Sequence, residues 1–354
     1  MATEILSGLK AVVLVGGPGT RLQPLTNTAP KSMVPVLNRP FMEHTIAYLK
    51  QFGIRDIILT LSYLPDVIRD YFRDGSPCGV RLTYCLEEEP LGTAGAVKNA
   101  GAHLEGTFFV LNGDVFTDLD LADMFTHHRE KGAEASISLH RVEDPSAFGV
   151  VETDSDRRVK AFIEKPPREE ATTDWINAGT YILEPEVLRH IPLGHYMFER
   201  GLFPTLLEMG EPVYGYPHRG YWLDMGTPGK YFSLSMDLLT AAVCSPLLPG
   251  LDGGLSYGPR VNVHPSASVT GPVVVGGGCR IDARVSVVGP VVLGENCRLE
   301  EGVFVKNAIL WDNVSVGTGA RLNRCIISSN AGIAPGQEVA DCVVTPEETA
   351  PLPR

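Results

Sequence analysis

Between residues 263 and 311 an apolar side chain returns at every sixth position: Val263, Val269, Val275, Ile281, Val287, Leu293, Leu299, Val305 and Trp311. A period of six fits neither the 3.6-residue turn of a helix nor the two-residue alternation of a strand. It fits a prism with three short parallel strands per coil, a left-handed parallel β-helix of the hexapeptide type, with eighteen residues to a coil. Such a coil stacks Val263, Ile281 and Leu299 in one ladder, Val269, Val287 and Val305 in a second, and Val275, Leu293 and Trp311 in the third. Cys279 and Cys297 are also eighteen apart and are expected as stacked neighbours, not as a disulfide. After Trp311 the phase slips by one to Val316 and Leu322, and again to Ile327, Ile333 and Val339, as loops or bulges would cause.

The region before the repeat follows a different rule. Ala11–Val15 is a continuous apolar run, the pattern of a strand buried on both faces, and it ends in Gly16-Gly17. Met42–Phe52 reads as a helix stopped by Gly53. Asp56–Leu61 reads as a strand, Val67–Phe72 as a helix, and Phe108–Leu111 as a strand running into Asn112-Gly113-Asp114. Strands alternating with helices predict an α/β domain with a Rossmann-like, mostly parallel sheet. In such sheets ligands bind beyond the carboxyl ends of the strands, where both glycine-containing turns fall. The Pro- and Gly-rich stretch from Cys244 to Pro259 has no period and reads as a linker. The expected organisation is an α/β domain over 1–243, a linker over 244–259, a β-helix over 260–345 and a tail over 346–354.

The formal net charge of −12 argues against a nucleic-acid surface, which needs clustered Lys and Arg. It leaves open a small phosphate-bearing substrate, since local cations can outweigh a distant acidic background. The seven cysteines include no CxxC pair, so neither a disulfide framework nor a zinc site is expected. A reducing cytoplasm suits them. No apolar run approaches the length of a membrane span.

Gly16-Gly17-Pro18-Gly19-Thr20-Arg21 follows the first strand. Its glycines let backbone amides approach a phosphate closely, although a Gly-rich turn after a strand is often only a turn. No Lys-Ser/Thr follows the last glycine, so it is not a Walker loop, and Leu22 replaces the third glycine of a dinucleotide fingerprint. Arg21 and, ten residues on, Lys31 add two cations suited to a triphosphate.

The segments GGPGTRLQPLT and PKSMVPV together resemble the signature of the sugar-phosphate nucleotidyltransferases. PLGTAGAV at 90–97, LNGDV at 111–115, FIEKP at 162–166, NAGTYIL at 177–183 and YWLDMGTP at 221–228 follow in the family's order. Within the family the chain is most similar to the GDP-mannose pyrophosphorylases, the mannose-1-phosphate guanylyltransferases. Ser32 stands where many members have Pro, and Gln23 occupies a variable position often filled by Arg.

The resemblance implies that Arg21 and Lys31 handle the triphosphate and Lys165 the sugar phosphate. It implies nucleotide contacts from Leu14, Gly16, Gly17, Gly19, Thr20, Glu88, Gly92, Thr93 and Asn112, with Glu88 and Gly92 near the base. Gly149, Glu164, Asn177 and Gly179 are implied to hold the sugar. Asp114 and Asp224 are implied to bind Mg²⁺, which accepts one or two carboxylates plus phosphate oxygens. On residue type alone, Asp114 also suits a strand-end cap, Asp224 a turn, and Lys165 a solvated surface.

The implied substrates are an NTP, with GTP favoured, and a sugar 1-phosphate, with mannose 1-phosphate favoured. A homo-oligomer with the β-helix contributing to assembly is expected, because solenoid ends need capping or pairing. Glucose-1-phosphate thymidylyl- or uridylyltransferase is an alternative activity. A non-catalytic sugar-nucleotide-binding paralogue is another, but it would have lost the charged residues kept here. An acetyltransferase activity on the β-helix would need a base, and His264 in VHPSASV reads as a surface or packing histidine.

Overall fold

The computed structural model describes residues 6–27, 29–248, 250–251 and 254–353. Pro249, Asp252 and Gly253 of the expected linker, and Arg354 of the expected tail, lie outside the described residues. The chain packs as two compact units that do not follow chain order. One comprises residues 1–17 and 45–223; the other comprises 18–44 and 224–354.

The first unit is built on a nine-stranded mixed sheet. Along its main path the order is Val159–Glu164, Gly149–Thr153, Trp175–Leu183, Phe108–Asn112, Lys10–Leu14, Asp56–Leu61 and Arg81–Leu86. The last four strands are parallel, in the register Lys10 to Asp56, Lys10 to Phe108 and Asp56 to Arg81. Trp175–Leu183 runs antiparallel to Phe108–Asn112 and to Ala135–Arg141, and the latter takes Val213–Pro217 as a parallel neighbour. The sheet is therefore parallel from Phe108–Asn112 to Arg81–Leu86 and mostly antiparallel beyond it.

The continuous apolar runs are buried as expected of strands covered on both faces. Ala11, Val12 and Val13, and Phe108, Phe109 and Val110, are fully inaccessible. The helices expected over 42–52 and 67–72 form as Phe41–Gln51 and Pro65–Phe72. Asp120 caps the helix Leu121–Lys131 by accepting from the amides of Ala122 and Asp123. No helix among the described residues is long and apolar enough to cross a membrane.

In the second unit, parallel strands stack coil upon coil around a core of small and branched apolar residues from Val273 to Val344, as in a parallel β-helix. Two of the expected ladders form as read. Val263 pairs Ile281 and Ile281 pairs Leu299, while Val269, Val287 and Val305 align in turn. The third starts correctly with Val275 against Leu293, but Leu293 then pairs Leu310, not Trp311. The slip thus precedes Trp311.

Its cause is a corner one residue shorter. Ser286 pairs Phe304, eighteen residues on, but Phe304 pairs Arg321 and Arg321 pairs Glu338, each seventeen on. Where the earlier coil turns through Gly289-Pro290, the later ones turn on Asn307, Arg324 and Asp341, with φ of 45°, 47° and 52°. Cys279 and Cys297 are buried and unoxidised; their thiols donate to the carbonyls of Gly294 and Trp311, at 2.9 and 3.0 Å.

Candidate functional site

In the sheet unit two strand ends meet as the α/β pattern predicts. Leu14 and Asn112 are register partners, and the Gly113 amide donates to the Leu14 carbonyl at 2.9 Å. A Cβ on Gly113 would lie 2.5 Å from that oxygen, so glycine is required there. Asp114 follows directly and is half-buried. Gly16 leaves the neighbouring strand end, where its carbonyl accepts from the Ser62 hydroxyl.

Glu87, not Glu88, is the acidic side chain turned toward this turn. A Cβ on Gly16 would lie 3.4 Å from Glu87 Oε1, and Glu87 Oε2 accepts from the Leu91 amide at 2.9 Å. Glu88 is exposed. Burial pushes the Glu87 carboxyl above its usual range, against the Leu91 amide bond, which favours the ionised form. Gly92 opens the helix Gly92–Asn99 with φ 71°, and a Cβ there would lie 2.7 Å from the Tyr196 carbonyl. That carbonyl accepts from the amides of Ala94 and Gly95, so these two first-turn donors are already used. Thr93 donates to Glu199 at 3.0 Å and accepts from the Phe198 amide at 2.9 Å.

A second group lies on the antiparallel strands. Gly149 and Glu164 are register partners, and a Cβ on Gly149 would meet Glu164 Oε2 at 3.0 Å. Lys165 adopts φ 49° while its amide donates to the Phe148 carbonyl at 3.0 Å. Side chains alternate along a regular strand, and this left-handed residue breaks the alternation. Lys165 Nζ consequently stands 3.5 Å from Glu164 Oε1, with the lysine side chain 58% exposed.

Asn177 accepts from the Gly179 amide at 3.0 Å and donates to the Tyr181 hydroxyl at 2.8 Å, across an irregularity in the strand pairing. Gly179, at φ 76°, leaves room for Asn112, whose Nδ2 would lie 2.6 Å from an added Cβ. Two further residues escaped the sequence reading. Glu199 is half-buried, its carboxyl pushed up by desolvation, with Glu164 and Lys165 close enough to act on its charge. Trp222 donates from its indole to the Ala178 carbonyl at 2.8 Å, beside Asn177 and Gly179 in sequence.

The second unit carries the remaining charged candidates. Asp224 is buried, with Lys31 Nζ at 3.7 Å, Arg21 Nη1 at 3.7 Å and Lys230 Nζ at 3.6 Å. Three cations thus gather on one carboxylate, and cations are what a polyphosphate needs. Asp224 Oδ1 has no hydrogen-bond partner among the described residues, since the cations stand beyond hydrogen-bond length. A Cβ on Gly226 would come within 3.0 Å of both Asp224 oxygens and 3.1 Å of Arg21 Cζ, so this glycine lets the group close up.

Gly19 precedes the single turn Thr20–Leu22 at φ 67°, and its carbonyl accepts from Thr26 at 2.9 Å. Thr20 and Arg21 are exposed, whereas Lys31 is buried. Lys230 was missed in the sequence, although Thr227-Pro228 is a helix-start signal that places it on the first turn. Among the described residues no three His, Cys, Asp or Glu side chains gather into a metal cage. His264 is exposed and bonded to Ser266, as a surface histidine.

This sheet with its glycine-rich strand ends defines a nucleotide-handling α/β protein, and the chain belongs to the nucleotidyl transferase family, whose sequence model matches residues 10–241. The GMPPB C-terminal domain model matches residues 269–350. The chain is 40% identical over 317 residues to mannose-1-phosphate guanylyltransferase of Mycobacterium tuberculosis, covering 89% of this chain and 83% of that one. It is 35% identical over 362 aligned positions to UTP–glucose-1-phosphate uridylyltransferase of Synechocystis sp., covering 95% and 93%. Among solved structures it resembles HddC from Yersinia pseudotuberculosis complexed with GMP-PN, with 32% identity and a TM-score of 0.56 over 64% of this chain and 98% of that one.

Proposed function

We propose that this nucleotidyltransferase joins GTP to mannose 1-phosphate, forming GDP-mannose and pyrophosphate. The observation that carries the base choice is the Glu87 carboxylate turned toward the Gly16 strand end. Ionised, it accepts only, and guanine offers it two adjacent donors, N1–H and the 2-amino group. Uracil and thymine offer one N–H flanked by carbonyls, which a carboxylate repels. Glu87 thus takes the base-side role that the sequence motif suggested for Glu88. The sugar choice rests on the Mycobacterium relative, whose name gives mannose 1-phosphate as its substrate.

In the reaction, a phosphate oxygen of the sugar 1-phosphate attacks the α-phosphorus of the NTP in line, the bond to the bridging oxygen breaks, and pyrophosphate leaves with that electron pair. The acceptor is already anionic, so positioning and charge neutralisation supply the catalysis. Arg21 and Lys31, joined by Lys230, stabilise the departing pyrophosphate. Lys165 orients the attacking phosphate, with Glu164, Asn177, Gly149 and Gly179 on the sugar. Leu14, Gly16, Gly17, Gly19, Thr20, Gly92, Thr93 and Asn112 serve the nucleotide.

Asp114 and Asp224 are the proposed Mg²⁺ carboxylates. Asp224 fits, because its Oδ1 keeps lone pairs not engaged in hydrogen bonds. When bound, Mg²⁺ supplies charge neutralisation at the phosphate oxygens. The same reading takes 1–243 as the catalytic segment, 244–259 as a linker and 260–345 as a β-helix. It also expects a cytoplasmic homo-oligomer with the β-helix in the interface, supported by the exposed edge at Asn262 and Val263.

A second reading, uridylyl transfer to glucose 1-phosphate, is favoured by the Synechocystis relative. Pyrophosphate release across a matrix of GTP, UTP and dTTP against mannose and glucose 1-phosphates, with and without Mg²⁺, separates the two. Preference for UTP with glucose 1-phosphate would overturn the first.

A further inference from the structure

Trp311 is the residue the hexad reading misplaced, and its displacement from the ladder gives its indole another contact. Within the second unit, Trp311 Nε1 donates to the Tyr231 hydroxyl at 2.9 Å, and that hydroxyl lies 2.6 Å from the Pro35 carbonyl. The direction is unambiguous. An indole N–H only donates, so the tyrosine oxygen accepts from it and spends its own proton on Pro35. The rings meet edge to face, with centroids 6.3 Å apart at 84°. Tyr231 is fully buried and Trp311 nearly so. Burial pushes the Tyr231 phenol well up, which keeps the donated proton in place.

Both ends of this relay adjoin the cations. Tyr231 lies next to Lys230 in the first turn of the helix Pro228–Leu239, and its amide donates to the Thr227 carbonyl at 2.9 Å, three residues beyond Asp224. Pro35 follows the turn Lys31–Met33, which closes with the Val34 amide donating to the Lys31 carbonyl at 3.2 Å. Pro35 also opens a hairpin with Arg39–Pro40 whose turn residues, Leu37 and Asn38, are both left-handed, at φ 49° and 64°. Asn38 Nδ2 donates to the Leu293 carbonyl of the β-helix at 2.8 Å. The segment after Lys31 is thus fastened to the β-helix at two points.

We propose that Tyr231 and Trp311 are positioning residues for the polyphosphate cations, the β-helix fixing through them where Lys31 and Lys230 stand around Asp224. This rests on the reading of Arg21, Lys31 and Lys230 as the pyrophosphate cations. The β-helix then acts in catalysis as well as in assembly.

The test is pyrophosphorolysis by the full-length enzyme, with inorganic pyrophosphate and GDP-mannose as the varied substrates. Tyr231→Phe keeps the ring and removes the relay oxygen; it is expected to raise the KM for pyrophosphate about fivefold, the scale of one lost net hydrogen bond, and to lower kcat. The KM for GDP-mannose should stay within about twofold, because uniform binding there is untouched. Trp311→Phe leaves the Tyr231–Pro35 bond and should move the same constants in the same direction by less. If Tyr231→Phe fails to fold by circular dichroism, Trp311→Phe alone decides. Wild-type pyrophosphate KM in the folded variants, or equal shifts for both substrates, overturns the proposal. A wild-type enzyme inactive with pyrophosphate would instead defeat the functional reading beneath it.

Discussion

Gly19 and Lys31 pack so closely that a methyl group on the glycine would lie 3.0 Å from the lysine β-carbon. The glycine-rich turn and the lysine of the next motif are therefore one packed unit, with Thr26 on the same side at 3.2 Å. Gly19→Ala meets two penalties, this contact and a φ of 67°. The conformational part alone costs about 1–2 kcal/mol. Thermal denaturation should show that loss, and the displaced Lys31 should reduce kcat/KM for the NTP by at least about tenfold. Wild-type kinetics in this variant would detach Lys31 from the triphosphate.

Glu87→Gln tests the base choice. The amide replaces one acceptor by a donor, so kcat/KM with GTP should fall by about tenfold or more while UTP and dTTP improve relative to it. Burial holds the Glu87 carboxyl above its usual range. Its charge, and with it GTP binding, is therefore lost sooner on acidification than an exposed carboxylate would allow. The KM for GTP should rise as pH falls, and this dependence should vanish in Glu87→Gln. The same pH profile in enzyme and variant would refute the assignment.

Lys165→Ala should raise the KM for the sugar 1-phosphate by about tenfold or more and lower kcat, as expected for a lost charge-assisted contact to phosphate. The side chain is mostly exposed, so the melting temperature should hardly change. Unchanged steady-state constants would remove Lys165 from the site.

Glu199 gives a stability prediction. Its folded carboxyl titrates above the usual range of a glutamate, mainly through desolvation. The folded state therefore binds the proton more tightly than the unfolded one. That contribution to stability is full below the unfolded value and is lost as pH rises through the folded one. Glu199→Gln removes the titration. Urea denaturation of enzyme and variant between pH 4 and 8 should show their stability difference shifting toward the variant as pH rises. A pH-independent difference would contradict this environment for Glu199.

The buried strands were legible because their signal is local. Ala11–Val13 and Phe108–Val110 are uninterrupted apolar runs, and each ends in the glycine turn that marks the strand terminus. Two ladders of the repeat were legible for the same reason. Trp311 was misassigned because a large apolar residue sat at the expected count, while the coil had already shortened at Asn307, a residue that tolerates left-handed backbone. Glu87, Glu88 and Glu89 are indistinguishable in a sequence, since no periodicity continues past the strand Arg81–Leu86. The grouping of residues 18–44 with 224–354 is invisible to a reading along the chain, because it depends on contacts such as Asn38 with Leu293, 255 positions apart.

The single-residue corners at Asn307, Arg324 and Asp341 have a practical consequence. The solenoid already tolerates two lengths at that corner, as Gly289-Pro290 shows. One added amino acid at Asn307 restores the longer version and leaves the inward-pointing side chains in phase, whereas the same addition inside a strand would turn the remaining stack inside out. Arg324 also bonds Asp341 and the Leu352 carbonyl and lies over the Phe232 ring, so the Asn307 bend is the place at which the solenoid can best be lengthened or labelled.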